Sequence, residues 1–161
     1  MVVPPILSCK RPSHTARLMA ALVEKHMNNT DRKTKVVELA TNDGSKILVL
    51  SNFSGNQRDP HQCEVDVYSN GFGFKGTFYF DNYSEFVTSL EKMSVSLSGS
   101  AELCEDFKDQ NIKLEILKLG QVLVSGKIEK HREHSQVLYF GFKTDQTCLA
   151  LFSEDLRKVL D

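Results

Sequence analysis

Nucleophilic catalysis needs a thiol or hydroxyl beside a base, and one stretch brings those types together: Asp59-Pro60-His61-Gln62-Cys63. On a strand, His61 and Cys63 are predicted to face the same side. Chemistry there would also require an oxyanion hole close in space. Cys63 continues the alternation of Val65 and Val67, so a core thiol is favoured over a nucleophile. Of the five histidines, His14, His26, His61, His131 and His134, only the run His131-Arg132-Glu133-His134 places two together. An i, i+3 pair ligates a metal when a helix holds it, with Glu129 and Glu133 as the carboxylates in reach. The flanking alternation instead predicts a solvated hairpin turn.

Three further patterns invite a functional reading. Gly71-Phe72-Gly73-Phe74-Lys75-Gly76 contains a G-x-G, but no strand-to-helix junction follows to aim backbone N–H groups at a phosphate. Phe72, Phe74, Phe78, Tyr79 and Phe80 are dense enough for a base-stacking platform. Such a platform needs a basic groove, and Lys75 is the only base nearby, so core packing is expected. Glu102, Glu105, Asp106 and Asp109 fall within eight positions around a predicted strand and loop. Solvated surface is the default there, and the sharper alternative is an acidic patch that steers a basic protein partner. These four are the candidate partner-binding residues. No catalytic, cofactor-binding or metal-binding residue is assigned.

The elements that must position these groups belong to a chain of 161 residues, 40% hydrophobic and 25% charged, which fits one soluble globular domain. No apolar run approaches the ~18 residues of a membrane span. Lys+Arg and Asp+Glu, 20 and 21, nearly cancel, but unevenly along the chain. Residues 1–34 carry six basic side chains against two acidic ones, a net +4, and the remainder nets −5. An acidic body argues against nucleic acid. Cys9, Cys63, Cys104 and Cys148 form no C-x-x-C pair and read as reduced, structural thiols, which favours the cytoplasm.

Residues 1–34 are set apart as an N-terminal extension. Ile6-Leu7-Ser8-Cys9 lacks the basic start and apolar stretch of a lipoprotein signal. Ser13 can cap a loosely attached helix over about 14–27, with Leu18, Leu22 and Val23 on one stripe. Equally, translation starting at Met27 would make the first 26 residues an artefact. A frayed or disordered segment and such an artefact both remain open.

From Lys35 the pattern has period two. Strands are predicted at Val36–Leu39, Lys46–Phe53, Cys63–Tyr68 and Phe72–Phe80, with Asn42-Asp43-Gly44-Ser45 and Asn70-Gly71 as turns and 54–61 as a polar loop. Asp81 is expected to cap a helix carrying Tyr83, Phe86, Val87, Leu90 and Met93 on one face, which ends at Gly99. Four further strands follow around Ala101–Leu103, Ile112–Ile116, Val122–Ile128 and Leu138–Phe142, with 105–111 as a polar loop. Asp145 then caps a helix bearing Leu149, Phe152, Leu156 and Val159. The two halves rhyme as ββββα twice. The expected fold is α+β: antiparallel meanders of about eight strands with two amphipathic helices, built as one domain over 35–161.

The body, from about Lys35 to Leu160, resembles the WapI-type immunity proteins that accompany bacterial polymorphic or contact-dependent toxins. The resemblance lies in Asn42-Asp43-Gly44-Ser45, Phe74-Lys75-Gly76-Thr77-Phe78, the helix with Phe86 and Leu90, and Leu97-Ser98-Gly99-Ser100-Ala101-Glu102-Leu103. It continues through Ile112-Lys113-Leu114, the alternating Gly120 to Ile128 strand, and Phe140-Gly141-Phe142-Lys143-Thr144-Asp145-Gln146-Thr147. It implies a small cytoplasmic protein that binds and blocks a cognate toxin domain, without catalysis or cofactor. The competing expectation is a β-rich scaffold or ligand-binding domain unrelated to toxins.

Overall fold

The computed structural model describes residues 35–56, 59–105, 108–130 and 135–160, with backbone alone at 56, 59, 108 and 109. The expectations for residues 1–34, for His131 and His134, and for Asp106 lie outside the described residues.

Period-two alternation becomes two antiparallel meanders. β1 (Val37–Ala40), β2 (Lys46–Asn56), β3 (Asp59–Ser69) and β4 (Phe72–Tyr79) pair in chain order, and α1 (Tyr83–Ser96) follows. β5 (Ser100–Glu105), β6 (Lys108–Ile116), β7 (Gln121–Lys130) and β8 (Gln136–Asp145) form a second sheet in the same order, and α2 (Thr147–Leu160) follows. The fold is α+β, and the ββββα order repeats.

Register explains which side chains are buried. Val37, Leu50, Val65 and Gly76 form one row across the first sheet, and Leu39, Leu48, Val67 and Phe74 the next. In the second sheet the matching rows are Ala101, Leu114, Val124, Phe142 and Leu103, Ile112, Gly126, Phe140. Side chains two apart share a face, so each row commits a whole sheet face to the core. The turn at Asn70-Gly71 has positive φ at both residues, 50° and 92°, as a tight hairpin requires.

Each helix covers the other half's first strand: α1 packs on β5, α2 on β1, and the two helices on each other. The Tyr83 hydroxyl donates to the Leu156 carbonyl at 2.9 Å. Arg157 grips Glu91 with two N–H donors at 2.8 and 2.5 Å. Lys35 Nζ donates to the Lys158 carbonyl, tying β1 to the end of α2. An aromatic group closes the first half, with Phe53 edge-on to Tyr83 at 5.7 Å and Phe80 5.4 Å from the same ring.

Three local expectations need correction. Of the segments expected as loops, the described residues 54–56, 59–61, 105 and 108–111 are strand: pairing continues to Asn56↔Asp59 and Glu105↔Lys108. Ladder bonds do not need apolar side chains, and bulges near both tips erase the alternation that would have revealed a strand. Asp145 caps α2 by accepting the Thr147 N–H at 2.9 Å, but Asp81 does not cap α1. Asn82 holds that position and turns its side chain to β5 instead. Finally, α1 stops at Ser96 with Leu97 at its C-cap in the left-handed region, φ 51°, and Gly99 follows with positive φ of its own, 102°.

Candidate functional site

Cys63 is 1% exposed, lies opposite Phe78, and belongs to the core. Burial, with Glu64 adding to it, pushes its thiol well above the ordinary range, which disfavours the thiolate a nucleophile needs. His61 does not share its face as the spacing predicted. Gln62 pairs with Ser54 and Pro60 with Gly55, leaving His61 an extra residue on β3. This bulge buries Pro60 and exposes His61. The described cysteines, Cys63, Cys104 and Cys148, are free thiols.

The run of aromatics divides as the strand enters the core. Phe72 is 83% exposed, Phe74 half-buried, and Phe78 and Phe80 buried, so no stacking platform forms. Among the described residues, no three His, Cys, Asp or Glu side chains are grouped to hold a metal. Every buried side-chain nitrogen and oxygen among them has a hydrogen-bond partner. The outward face of α1 carries a shallow, open polar depression lined by Ser84, Glu85, Thr88, Ser89 and Lys92. No described helix is long and apolar enough to cross a membrane.

The described acidic candidates, Glu102, Glu105 and Asp109, lie on β5 and the start of β6. Glu102 is exposed on the outer face, where Asn111 Nδ2 donates to it at 2.8 Å and Lys113 stands directly across. Glu115 holds Lys113 at 2.9 Å and raises the pKa of its ammonium group. Glu105 follows a bulge and accepts from Gln110 Nε2 at 3.3 Å. Gln110 is 2% exposed and reaches on to β7, where its Oε1 accepts the Glu129 N–H at 3.0 Å. Asn111 Oδ1 likewise accepts the Lys127 N–H at 3.1 Å. Side-chain amides thus take over part of the ladder where β6 leaves β7, and they fix the base of the acidic tip. Asp109 lies on β6 beside that tip, its side chain outside the description.

The model of the Immunity protein WapI-like family matches residues 41–161. The chain belongs to that family. The matched stretch covers both sheets and both helices except for β1, so the match spans nearly all of the ββββα repeat just described. No curated protein sequence matches the chain. Among solved structures, one titled "Crystal structures of trypanosoma bruciei MRP1/MRP2" is similar at a TM-score of 0.48 and 9% identity, over 95% of each chain.

The chain also exposes residues that spacing did not single out. Tyr139 is 72% and Val137 45% exposed on the outer face of β8, and Lys127 Nζ lies 5.9 Å from the Tyr139 ring centroid. Their parity, opposite to Leu138, Phe140 and Phe142, was the available signal.

Proposed function

We propose that the protein acts in the bacterial cytoplasm by binding a cognate toxin domain and blocking it sterically, without catalysis or cofactor. The observation that carries this reading is the family match over residues 41–161. The buried, ionisation-resistant Cys63 and its separation from His61 support a binding role over a thiol enzyme. The tip around Glu102, Glu105, Asp106 and Asp109 is proposed as the face that steers a basic toxin surface, since opposite charge accelerates encounter more than it strengthens the final complex. If the toxin is a nuclease, this tip occupies the cleft that nucleic acid would fill.

The test is a pulldown of the tagged chain with the C-terminal toxin domain encoded by the neighbouring upstream reading frame, with rescue of growth on co-expression. Tight binding with rescue supports the proposal. Toxicity that co-expression leaves untouched counts against it. Charge reversal at Glu105 and Asp106 should lower the association rate and flatten its salt dependence. An unchanged rate removes the acidic tip from the interface and leaves the binding role standing.

A further inference from the structure

The four sheet edges are treated unequally. On β5, the Asp81 N–H donates to the Cys104 carbonyl at 3.1 Å, and Asn82 bonds Glu102 and Cys104. On β1, only four residues long, the Ala40 carbonyl accepts from the Thr144 hydroxyl at 3.2 Å, and α2 packs against the strand. On β4, Lys130 of β7 reaches over to the Lys75 carbonyl at 3.4 Å. No described strand pairs with the far side of β8. That strand is ten residues long, keeps register with β7 from end to end, and carries no charge, proline or bulge from Gln136 to Phe142. Protected edges carry such devices because an open, straight edge recruits another strand.

A second observation concerns glycine. At ordinary φ, three strand glycines lie under aromatic rings. Tyr68 faces Gly73 across the ladder, with its ring 3.7 Å from where a Cβ would sit. Phe74 covers Gly76 at 2.8 Å, and Phe140 covers its cross-strand partner Gly126 at 2.6 Å. A ring laid over a strand glycine replaces the packing the missing side chain would give. Gly141 breaks this pattern. Its partner is Ser125, its φ is not positive, and a Cβ there would meet nothing nearer than the Val124 carbonyl at 3.8 Å. Nothing among the described residues requires glycine at this position. Two residues away on the same face stands Tyr139, 72% exposed, with Lys127 Nζ 5.9 Å from its ring centroid.

We infer that β8 is an interface between two copies of this chain: the strands pair antiparallel about a two-fold axis at Phe140, so Tyr139 of each copy covers Gly141 of the other. This register repeats the Phe140–Gly126 geometry already present one strand inward. It sets the half-buried Leu138 against Phe142 of the second copy and Phe140 against its own mate, extending the inner face. Lys143 meets Val137, and Gln136 meets Thr144, so no like charges oppose each other. The contact is isologous and closes at two copies. The inference goes beyond the immunity reading and is independent of the toxin's identity.

The experiment is sedimentation velocity on the full chain across a concentration series from micromolar upward. The expected result is a species of twice 18.2 kDa at the upper end. The added Cβ of Gly141→Val meets no described atom nearer than 3.8 Å, so the fold measured by circular dichroism and the urea midpoint of the dilute monomer should hold. Dimer affinity should fall on the order of tenfold, since two symmetry-related ring covers are lost. Val137→Lys should weaken the dimer by setting like charges opposite each other, and adding Lys143→Glu in the same chain should restore it. A wild-type chain monomeric at every concentration overturns the inference, as does a dimer indifferent to Gly141→Val and Val137→Lys. A monomeric chain whose toxin binding is lost in Gly141→Val also overturns it, and assigns the edge to a partner's strand.

Discussion

The side-chain oxygen of Asn82 accepts the backbone N–H of Cys104 at 3.0 Å, while its amide donates to the Glu102 carbonyl at 2.9 Å. One side chain therefore stands in for a strand's peptide group and seals the edge of β5. A carboxylate supplies the acceptor but not the donor. Asn82→Ala should cost about 1–2 kcal/mol in urea unfolding and speed amide exchange at Cys104. Asn82→Asp should keep that amide protected and still lose part of the stability. Unchanged midpoints in both variants would show that the edge is sealed by the Asp81 bond and α1 alone.

The Glu91–Arg157 pair joins the helices and depends on pH. Hydrogen bonding to Arg157, opposed by partial desolvation and aided by charge attraction, lowers the Glu91 carboxyl below its ordinary 4.5. The folded form thus binds its proton less readily than the unfolded chain. The stabilisation is fully present above about pH 4.5 and is lost as pH falls through the lowered value. Both side chains are more than a third exposed, at 38% and 41%, so solvent screening holds the contribution under about 1 kcal/mol. A double-mutant cycle with Glu91→Gln and Arg157→Met, run at pH 7 and pH 3, should show coupling at pH 7 that is smaller at pH 3. Equal coupling at both would mean packing of the long side chains carries the link.

The strands and helices were legible because burial follows the alternation: Cys63, Val65 and Val67, or Leu149, Phe152 and Leu156, fall into the core as spaced. The repeat and the Asp145 cap were legible for the same local reason. Positions where a distant contact overrules local chemistry were not. Asp81 is a better helix cap by type than Asn82, yet only an amide satisfies β5 from that place. His61 looked like Cys63's neighbour until the bulge turned it outward. The acidic candidates could be named from sequence, but the Gln110 and Asn111 amides that anchor Glu105 and Glu102 depend on β7 being alongside.

Thiol labelling of the native chain, followed by peptide mapping, should order the described cysteines. Half-buried Cys104 and Cys148 are expected to react well before Cys63. Burial keeps the native Cys63 thiol protonated, so it should label only through unfolding, at a rate that tracks the unfolded fraction and rises with added urea. Cys63→Ser would place a hydroxyl in the core and should cost about 1–3 kcal/mol. Fast, pH-dependent labelling of Cys63 would reopen the case for a reactive nucleophile.

Two glycines under rings should respond differently to the same substitution. At Gly76 an added methyl meets only the far edge of the Phe74 ring, at 2.8 Å, and the ring is half-buried and able to swing aside. Gly76→Ala should therefore cost about 1 kcal/mol or less, partly offset by the stiffer unfolded chain. At Gly126 the methyl meets the Phe140 ring at 2.6 Å and also the Asn111 carbonyl at 2.5 Å. That carbonyl is backbone, on a strand where Asn111 has partners on both sides, Cys104 and Lys127. Relief requires moving a strand, and Gly126→Ala should cost about 3 kcal/mol. Trimming the ring separates the two obstacles. If the carbonyl decides, Gly126→Ala with Phe140→Leu recovers almost none of the loss in urea unfolding. Recovery to the level of Phe140→Leu alone would make the ring the whole obstacle and β6 the more yielding strand.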